Sequence, residues 1–339
     1  MGLAILTSIS VVINNYNYAH FLAEAVDAAL EQIGPEDEIV IVDDGSTDGS
    51  ATVLAGYRTN DCIRIVEQSN QGQLRTVLNG MAAARGEVLA LLDSDDYFLP
   101  GYLNRLRALA KKHPEIDFFF AAAQPGGDCP PAAIASIEHM LASMALAPGP
   151  TGATRYGTLH AGEFVGTPTS GLALRRGLAE TLVGARDRFQ DSTRISDVAC
   201  RVLRLPRDSH TTLRLSADGI IVRAASVAGA LKHYCPQPGF FYRLHSANAY
   251  ARIGKLGRTY LRLIRARHIS RLLRDALDVP TPTTAAVVEE ARARSLPLKL
   301  RRRLRLILNY THVALRSRGR LSDKALAMVR IPRALLGNR

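Results

Sequence analysis

Short apolar runs alternate with stretches in which apolar residues recur every three or four positions through the first third of the chain. Ser8 to Ile13, Glu38 to Val42, Ile63 to Glu67 and Val88 to Leu92 are runs bounded by turn formers. They are too short for buried helices and suit strands, the last of them covered on both faces. Between them, Phe21, Leu22, Ala25, Val26, Ala29, Leu30 and Ile33 trace one helical face that stops at Gly34-Pro35. Ser50 to Tyr57 forms a second helix after a turn rich in Asp, Gly and Ser, and Leu74, Val77, Leu78 and Met81 mark a third. This alternation predicts right-handed βαβ crossovers and a mainly parallel α/β sheet.

Further along, Leu103, Leu106 and Leu109 indicate a helix and Ile116 to Ala121 a strand. Gln124 to Pro131 reads as a Gly/Pro loop, Ala132 to Leu146 as an Ala-rich helix, and Pro148 to Thr169 as a segment of Gly, Thr and Pro. Ser170 to Leu174 reads as a strand entering a helix at Arg175-Arg176. Ile220 to Val227 is apolar and follows Ser216-Ala217-Asp218-Gly219, and Phe240 to His245 reads as the last strand of the body. Beyond Ala249 the pattern is helical and basic, interrupted by a Pro/Thr linker from Val279 to Thr284. The expected division is therefore a body, 1–249, in two halves (1–122 and 123–249), and a basic helical region, 250–339.

Composition is that of a globular protein, 47% hydrophobic and 22% charged in 339 residues. Charge changes the picture more. The net +12 hides a split: Tyr250 to Arg339 holds 22 Lys/Arg against 5 Asp/Glu, whereas the first 249 residues hold 21 against 26. A mildly acidic body with a basic tail suggests that the tail meets an anionic surface. Met1 to Ile13 has no basic n-region and reads as a first strand, and no run of 18 apolar residues occurs. Four scattered cysteines argue against a zinc site or a disulfide framework. A cytoplasmic location follows as the expectation, at the inner face of a membrane if the tail meets lipid.

Candidate chemistry sits at the strand ends. The run Val88 to Leu92 delivers Asp93, Asp95 and Asp96 to its C-terminal end, the edge where ligands bind in open α/β sheets. Such a cluster either holds a hard cation or forms a solvated turn and helix cap. Neither a G-x-G-x-x-G turn after the first strand nor a G-x-x-x-x-G-K-[ST] loop is present, so pyrophosphate charge would need a metal.

Taken in order, Val11-Val12-Ile13-Asn14-Asn15-Tyr16-Asn17, Val42-Asp43-Asp44-Gly45-Ser46-Thr47-Asp48, Asn70-Gln71-Gly72, Ala84-Arg85-Gly86-Glu87 and Leu92-Asp93-Ser94-Asp95-Asp96 resemble family 2 of the nucleotide-sugar glycosyltransferases, inverting enzymes of GT-A fold. Asn14 departs from the pattern, standing where the family usually has proline. The resemblance implies a nucleotide-sugar donor site. Asp43 would accept the N–H of a uracil or guanine base, Asn14 and Tyr16 would lie beside it, and Arg75, Asp93 and Ser94 would also contact the donor. It implies Mg²⁺ or Mn²⁺ held first by Asp95, with Asp96 the less certain ligand. Ser216-Ala217-Asp218-Gly219 resembles the family's x-A-D-G segment, which makes Asp218 the candidate general base, with Asp191 and Asp197 as competitors. Tyr242-Arg243-Leu244-His245-Ser246-Ala247-Asn248 resembles its Y-R-x-H-x-x-N segment, in which Arg243 and His245 would close over the diphosphate and His245 would share the metal.

The expected reaction moves a sugar, from a UDP-sugar first or a GDP-sugar next, to a hydroxyl of a glycan or lipid-linked acceptor. A non-catalytic relative that binds the same donor remains the alternative. A nucleic-acid-binding protein fits less well, because the basic tail has few aromatics and the chain has no Trp. In the tail, apolar residues interleave with arginines from Lys255 to Leu277 and again from Leu298 onward. These stripes could pack on the body or a second subunit; for 298–339 the expectation is contact with an anionic membrane.

Overall fold

The structure is a computed structural model that describes residues 7–144, 146–189, 216–245, 266–294 and 300–336. Asp191, Asp197, Asn248 and the stripe residues Leu256, Tyr260, Leu263 and Ile264 lie outside the described residues. The first half follows the sequence pattern closely: β1 (Ile9–Asn15), α1 (Ala19–Leu30), β2 (Glu38–Asp43), α2 (Ser50–Ala55), β3 (Ile63–Glu67), α3 (Gln73–Ala83) and β4 (Val88–Asp93). β5 (Tyr97–Phe98), α4 (Tyr102–Lys112), β6 (Phe118–Gly126), α5 (Pro131–Met144), β7 (Gly149–Pro150) and α6 (Arg155–Ala161) come next. β8 (Leu172–Arg175), α7 (Arg176–Gly184), α8 (Ala217–Ala228) and β9 (Lys232–Arg243) complete the body.

The strands form one mixed sheet in the order β3-β2-β1-β4-β8-β6-β9-β5, with β7 on β9. β3, β2, β1 and β4 are mutually parallel; β8 runs against both β4 and β6, and β6 is parallel to β9. The C-terminal ends of β1, β2, β4, β6 and β9 therefore share one edge. This agrees with the GT-A layout that the resemblance implied.

Side chains alternate across each strand with period two. Val12, Val40, Val42, Leu89 and Leu91 face α3, α7 and α8, while Val11, Ile13, Ile39, Ile41, Ala90 and Leu92 face α1 and α4. All are fully buried, which is why the strands read as continuous apolar runs.

β5 and β7 are two-residue strands absent from the sequence reading, and three longer elements differ from it. β6 continues to Gly126 and β9 begins at Lys232, because the two pair along their length around register shifts between Ala121 and Ala123. α6 forms within the Gly/Thr/Pro segment because Glu290 accepts hydrogen bonds from the backbone N–H groups of Tyr156 and Gly157 at its N-terminus.

The C-terminal part contains α9 (Ala266–Ala276), α10 (Thr284–Ala293), α11 (Leu300–Arg316) and α12 (Leu321–Leu336). α9 places Ile269, Leu273 and Ala276 in the core beneath the sheet. α10, α11 and α12 enclose a core of their own, which includes Val287, Tyr310, Val313, Ile331 and Leu335.

Candidate active site

Strand register assembles the site. Asn14 of β1 lies beside Asp93 of β4, and Asn15 beside Asp43 of β2. Past the strand ends the backbone turns sharply, and side chains hold each turn. Asp43 Oδ1 accepts from Asn15 Nδ2 (2.7 Å) and Ser46 Oγ (2.6 Å), and Oδ2 accepts from the Ser46 N–H (2.9 Å). A carboxylate has about four acceptor positions, so Oδ2 retains capacity for a ligand N–H. Asp44, to which sequence reading assigned no role, is buried and holds the next loop. It accepts from Gln68 Nε2 (2.8 Å), the Gln71 N–H (2.7 Å) and the Gly72 N–H (2.8 Å). Gly45, at φ 70°, lets this loop approach, since a Cβ there would lie 3.1 Å from both Asn70 N and Gln68 O.

The end of β4 gathers three carboxylates, and oxygens of Asp93, Asp95 and Asp96 lie within 4.8 Å of one another. Their surroundings separate their roles. Asp96 is buried; its Oδ2 accepts from Ser170 Oγ (2.5 Å) and its Oδ1 from the Arg243 N–H (2.9 Å). Ser170 Oγ also accepts the Asp93 N–H at 3.1 Å, so one hydroxyl ties together both ends of the acidic turn. Asp93 accepts from Gln73 Nε2 at 2.9 Å. His245 Nε2 lies 3.0 Å from Asp95 Oδ2, and Tyr18 meets the imidazole edge-on at 5.5 Å.

Burial, then the Asp95 charge, push the Asp93 pKa up to about 7; hydrogen bonds from Asn14 and Gln73 oppose this, and the Asp218 charge adds to it. The same burial and the charges of Asp95 and Asp93 hold Asp96 well above the carboxylate range. This is a close cluster of hard oxygen donors, and it fits Mg²⁺ or Mn²⁺. Asp93, Asp95 and Asp96 each offer an oxygen that could hold the ion, with His245 beside Asp95. Asp96 is also held by Ser170 and Arg243.

Asp218 belongs to the first turn of α8. Gln73 Oε1 accepts the Ala217 N–H at 3.3 Å, so the side chain that contacts Asp93 also holds the helix end that carries Asp218. Tyr242 reports the convergence: its phenol pKa is raised by burial and then by the charges of Asp96, Asp95, Asp218 and Asp93. The side chains of Asn14, Asn15 and Ser94 are buried here, and Asn14 Oδ1, Asn15 Oδ1 and Ser94 Oγ have no hydrogen-bond partner within the protein. Such atoms are costly unless a ligand or water pairs with them.

Two of the expected donor-side arginines make contacts within the protein. Arg75 pairs with Asp187 at 2.6 Å. Arg243 donates from Nε to the Asp95 carbonyl at 2.8 Å, pairs with Glu24 at 2.5 Å and stacks 4.6 Å from the Phe21 ring centroid. Arg243 thereby ties the acidic turn to α1. Tyr16 is on the surface beside Asn17, whose left-handed backbone (φ 58°) lets Oδ1 accept the Thr47 N–H at 2.7 Å.

A cavity of about 390 Å³ lies at the same sheet edge, lined by Phe120, Ala122 and Gln124 of β6, Leu141 of α5, Thr167 and Tyr234 among others. Its Gly166 wall meets Val222, one helical turn beyond Asp218. The sequence assigns no individual role to Gln73, Asp44 or Ser170, because their roles come from contacts across 20 to 144 positions of chain.

Residues 10–157 match Glycosyl transferase family 2. An uncharacterized glycosyltransferase, alr2836, of Nostoc sp. is 32% identical over 247 residues, covering 71% of this chain and 66% of that protein. The uncharacterized glycosyltransferase EpsJ of Bacillus subtilis is 32% identical over 106 residues, 31% of each chain. Glycosyltransferase GlyG of Streptococcus pneumoniae is 39% identical over 90 residues, 26% of this chain and 30% of that one. This chain thus spans just under two thirds of the first relative and under a third of the other two. The crystal structure of S. aureus TarS 1-349 overlays with a TM-score of 0.49 at 16% identity, covering 98% of this chain and 92% of that one. The matched range carries Asn14, Asp43, Asp93, Asp95 and Asp96, the similarity to the first relative covers most of the chain, and the chain belongs to glycosyltransferase family 2.

Proposed function

We propose that this chain transfers a sugar, with inversion, from a nucleoside diphosphate donor (a UDP-sugar first, a GDP-sugar next) to a hydroxyl of a glycan or lipid-linked acceptor. The observation that carries this reading is the link through Gln73 between Asp93, at the end of β4, and the α8 N-terminus that presents Asp218. A donor-side carboxylate and a candidate base are thereby held on one scaffold.

In this reading the donor half is 1–122 and the acceptor half 123–249. The remaining acceptor position on Asp43 Oδ2 takes the ring N–H of the base, which favours uracil or guanine over adenine. Asn14 and Tyr16 flank the base. Asp93 lies near the ribose, and the buried, unpartnered Ser94 hydroxyl and Asn14 amide oxygen turn toward polar donor groups. Arg75 serves the donor by leaving Asp187, an exposed carboxylate that water resolvates at little cost. When bound, Mg²⁺ or Mn²⁺ supplies electrostatic stabilisation of the charge that grows on the departing diphosphate. Asp93, Asp95 and Asp96 would hold it, with His245 beside Asp95.

An acceptor hydroxyl is a weak nucleophile. Asp218 removes its proton as the oxygen attacks the anomeric carbon from the face opposite the diphosphate, so one displacement inverts the centre. The cavity beside Val222 accommodates the acceptor's apolar part.

The test is transfer from UDP- and GDP-sugars in the presence of Mn²⁺, together with Asp218→Asn. That variant keeps the shape and removes the proton acceptor, so turnover is expected to fall by about a hundredfold or more with donor affinity unchanged. Near-normal turnover would move the base elsewhere. A product with retained anomeric configuration would reject the displacement, and donor binding without turnover by the unmodified protein would identify a binding protein.

A further inference from the structure

Among the described residues large apolar side chains are rarely exposed, and most of those that are lie in one part of the chain. Among the described residues eleven such side chains are exposed, and nine lie on α11 and α12: Leu300, Leu304, Leu308, Leu315, Leu321, Leu326, Met328, Val329 and Leu336. Those of α11 fall at i, i+4, i+8 and i+15, within about a quarter of the helix circumference. Most of those on α12 form a similar stripe.

Folding does not require these stripes. α11 buries a different face, through Leu306, Tyr310, Val313 and Ala314, and α12 buries Ala327, Ile331 and Leu335. The three-helix core includes those residues, and exposed apolar stripes of this kind mark an interaction site.

The charge beside the stripes selects the occupant. From Leu300 to Leu336 there are ten Lys/Arg and one acidic residue, Asp323. Arg301, Arg305, Arg316, Arg330 and Arg333 are on the surface, at positions that border the leucines on their own helices. A second copy presenting the same face would oppose these arginines with arginines. An anionic bilayer satisfies both features, with leucines among the acyl chains and guanidinium groups at the phosphates.

We propose that the exposed apolar faces of α11 and α12, with their bordering arginines, dock the protein on an anionic lipid bilayer. This inference is independent of the transferase reading, and its test uses no activity. The full chain is floated with phosphatidylcholine vesicles with and without about 30% phosphatidylserine, in low salt and in 0.5 M NaCl, the latter screening charge over about 4 Å. Two double variants are compared, Leu304→Ser with Leu308→Ser and Leu321→Ser with Met328→Ser, all four side chains being about half or more exposed. Agreement of their thermal melting with that of the unmodified chain identifies the variants that report on the surface alone.

The proposal expects binding to the phosphatidylserine vesicles at least tenfold tighter than to phosphatidylcholine alone, release by salt, and at least tenfold weaker binding in either folded variant. It is overturned if the unmodified chain floats with neither vesicle or equally with both, or if a folded variant binds as well as the unmodified chain. A dimer in solution that the serine variants dissociate would also overturn it and assign the face to a second copy.

Discussion

Gln73 Nε2 donates to Asp93 Oδ1 at 2.9 Å, and this bond joins the start of α3 to the acidic end of β4. The same amide accepts the Ala217 N–H, so Gln73 positions Asp93 and the Asp218 helix relative to each other. Outer-shell partners of ligating carboxylates typically contribute about ten- to a hundredfold to metal affinity or activity. Gln73→Met is expected to reduce metal affinity or turnover by about tenfold or more, with the melting temperature shifted by only a few degrees. Titration with Mn²⁺ and steady-state kinetics on the same preparation check this, and unchanged values for both would remove Gln73 from the account.

The raised pKa of Asp93 gives a pH dependence with a definite sign. In the metal-free protein its pKa is about 7, against about 3.9 in an unfolded chain. The stability associated with that extra proton is fully present below about pH 4 and is lost as pH rises through about 7. Mg²⁺ or Mn²⁺ requires the ionised carboxylate, so metal affinity should weaken by up to about tenfold per pH unit below 7. Calorimetric titration at pH 6 and pH 8 measures this, and Asp93→Asn should flatten the difference. Equal affinity at the two pH values would contradict the assignment.

Ser170 anchors the acidic turn from the neighbouring chain segment. It is fully buried, and its hydroxyl serves both Asp96 and the Asp93 N–H. Ser170→Ala leaves a buried carboxyl and a backbone donor short of partners, at an expected cost of about 1–3 kcal/mol. Urea denaturation of the metal-free protein should show the loss as a lower midpoint with an unchanged slope. A midpoint equal to that of the unmodified chain would mean that water replaces the hydroxyl without loss.

Glu290 joins the C-terminal helices to the body. Its Oε1 accepts from the N–H groups of Tyr156 and Gly157 and from the Tyr310 hydroxyl at 2.7 Å. Glu290→Ala orphans all three donors and is expected to cost about 2 kcal/mol or more, whereas Glu290→Gln keeps an acceptor oxygen and should retain most of the stability. Hydrogen exchange should show faster opening of α6 and α10 in the alanine variant. Equal protection in the two variants would deny the contact its role.

The order of the first seven elements, the two-sided burial of β1, β2 and β4 and the acidic strand end were all legible in the sequence. Each depends on local pattern: a strand buried on both faces must be apolar throughout, and a turn rich in Asp and Gly must follow it. The motif spacing carried the family, and with it the choice of Asp43, Asp95, Asp218 and His245. Tertiary structure alone decided which carboxylate is engaged by its neighbours. Asp96 is held by Ser170 and Arg243, which lie 74 and 147 positions away. It also decided that Arg75 faces Asp187 and that α6 forms where the local sequence is poor in helix signals, through an acceptor 134 positions distant. In the tail, periodicity showed apolar stripes among arginines, but the packing of α10 against α11 and α12 divided them into a buried face and an exposed one. A hydrophobic period records only that a face repels water; which of two such faces the chain itself covers depends on what folds against it.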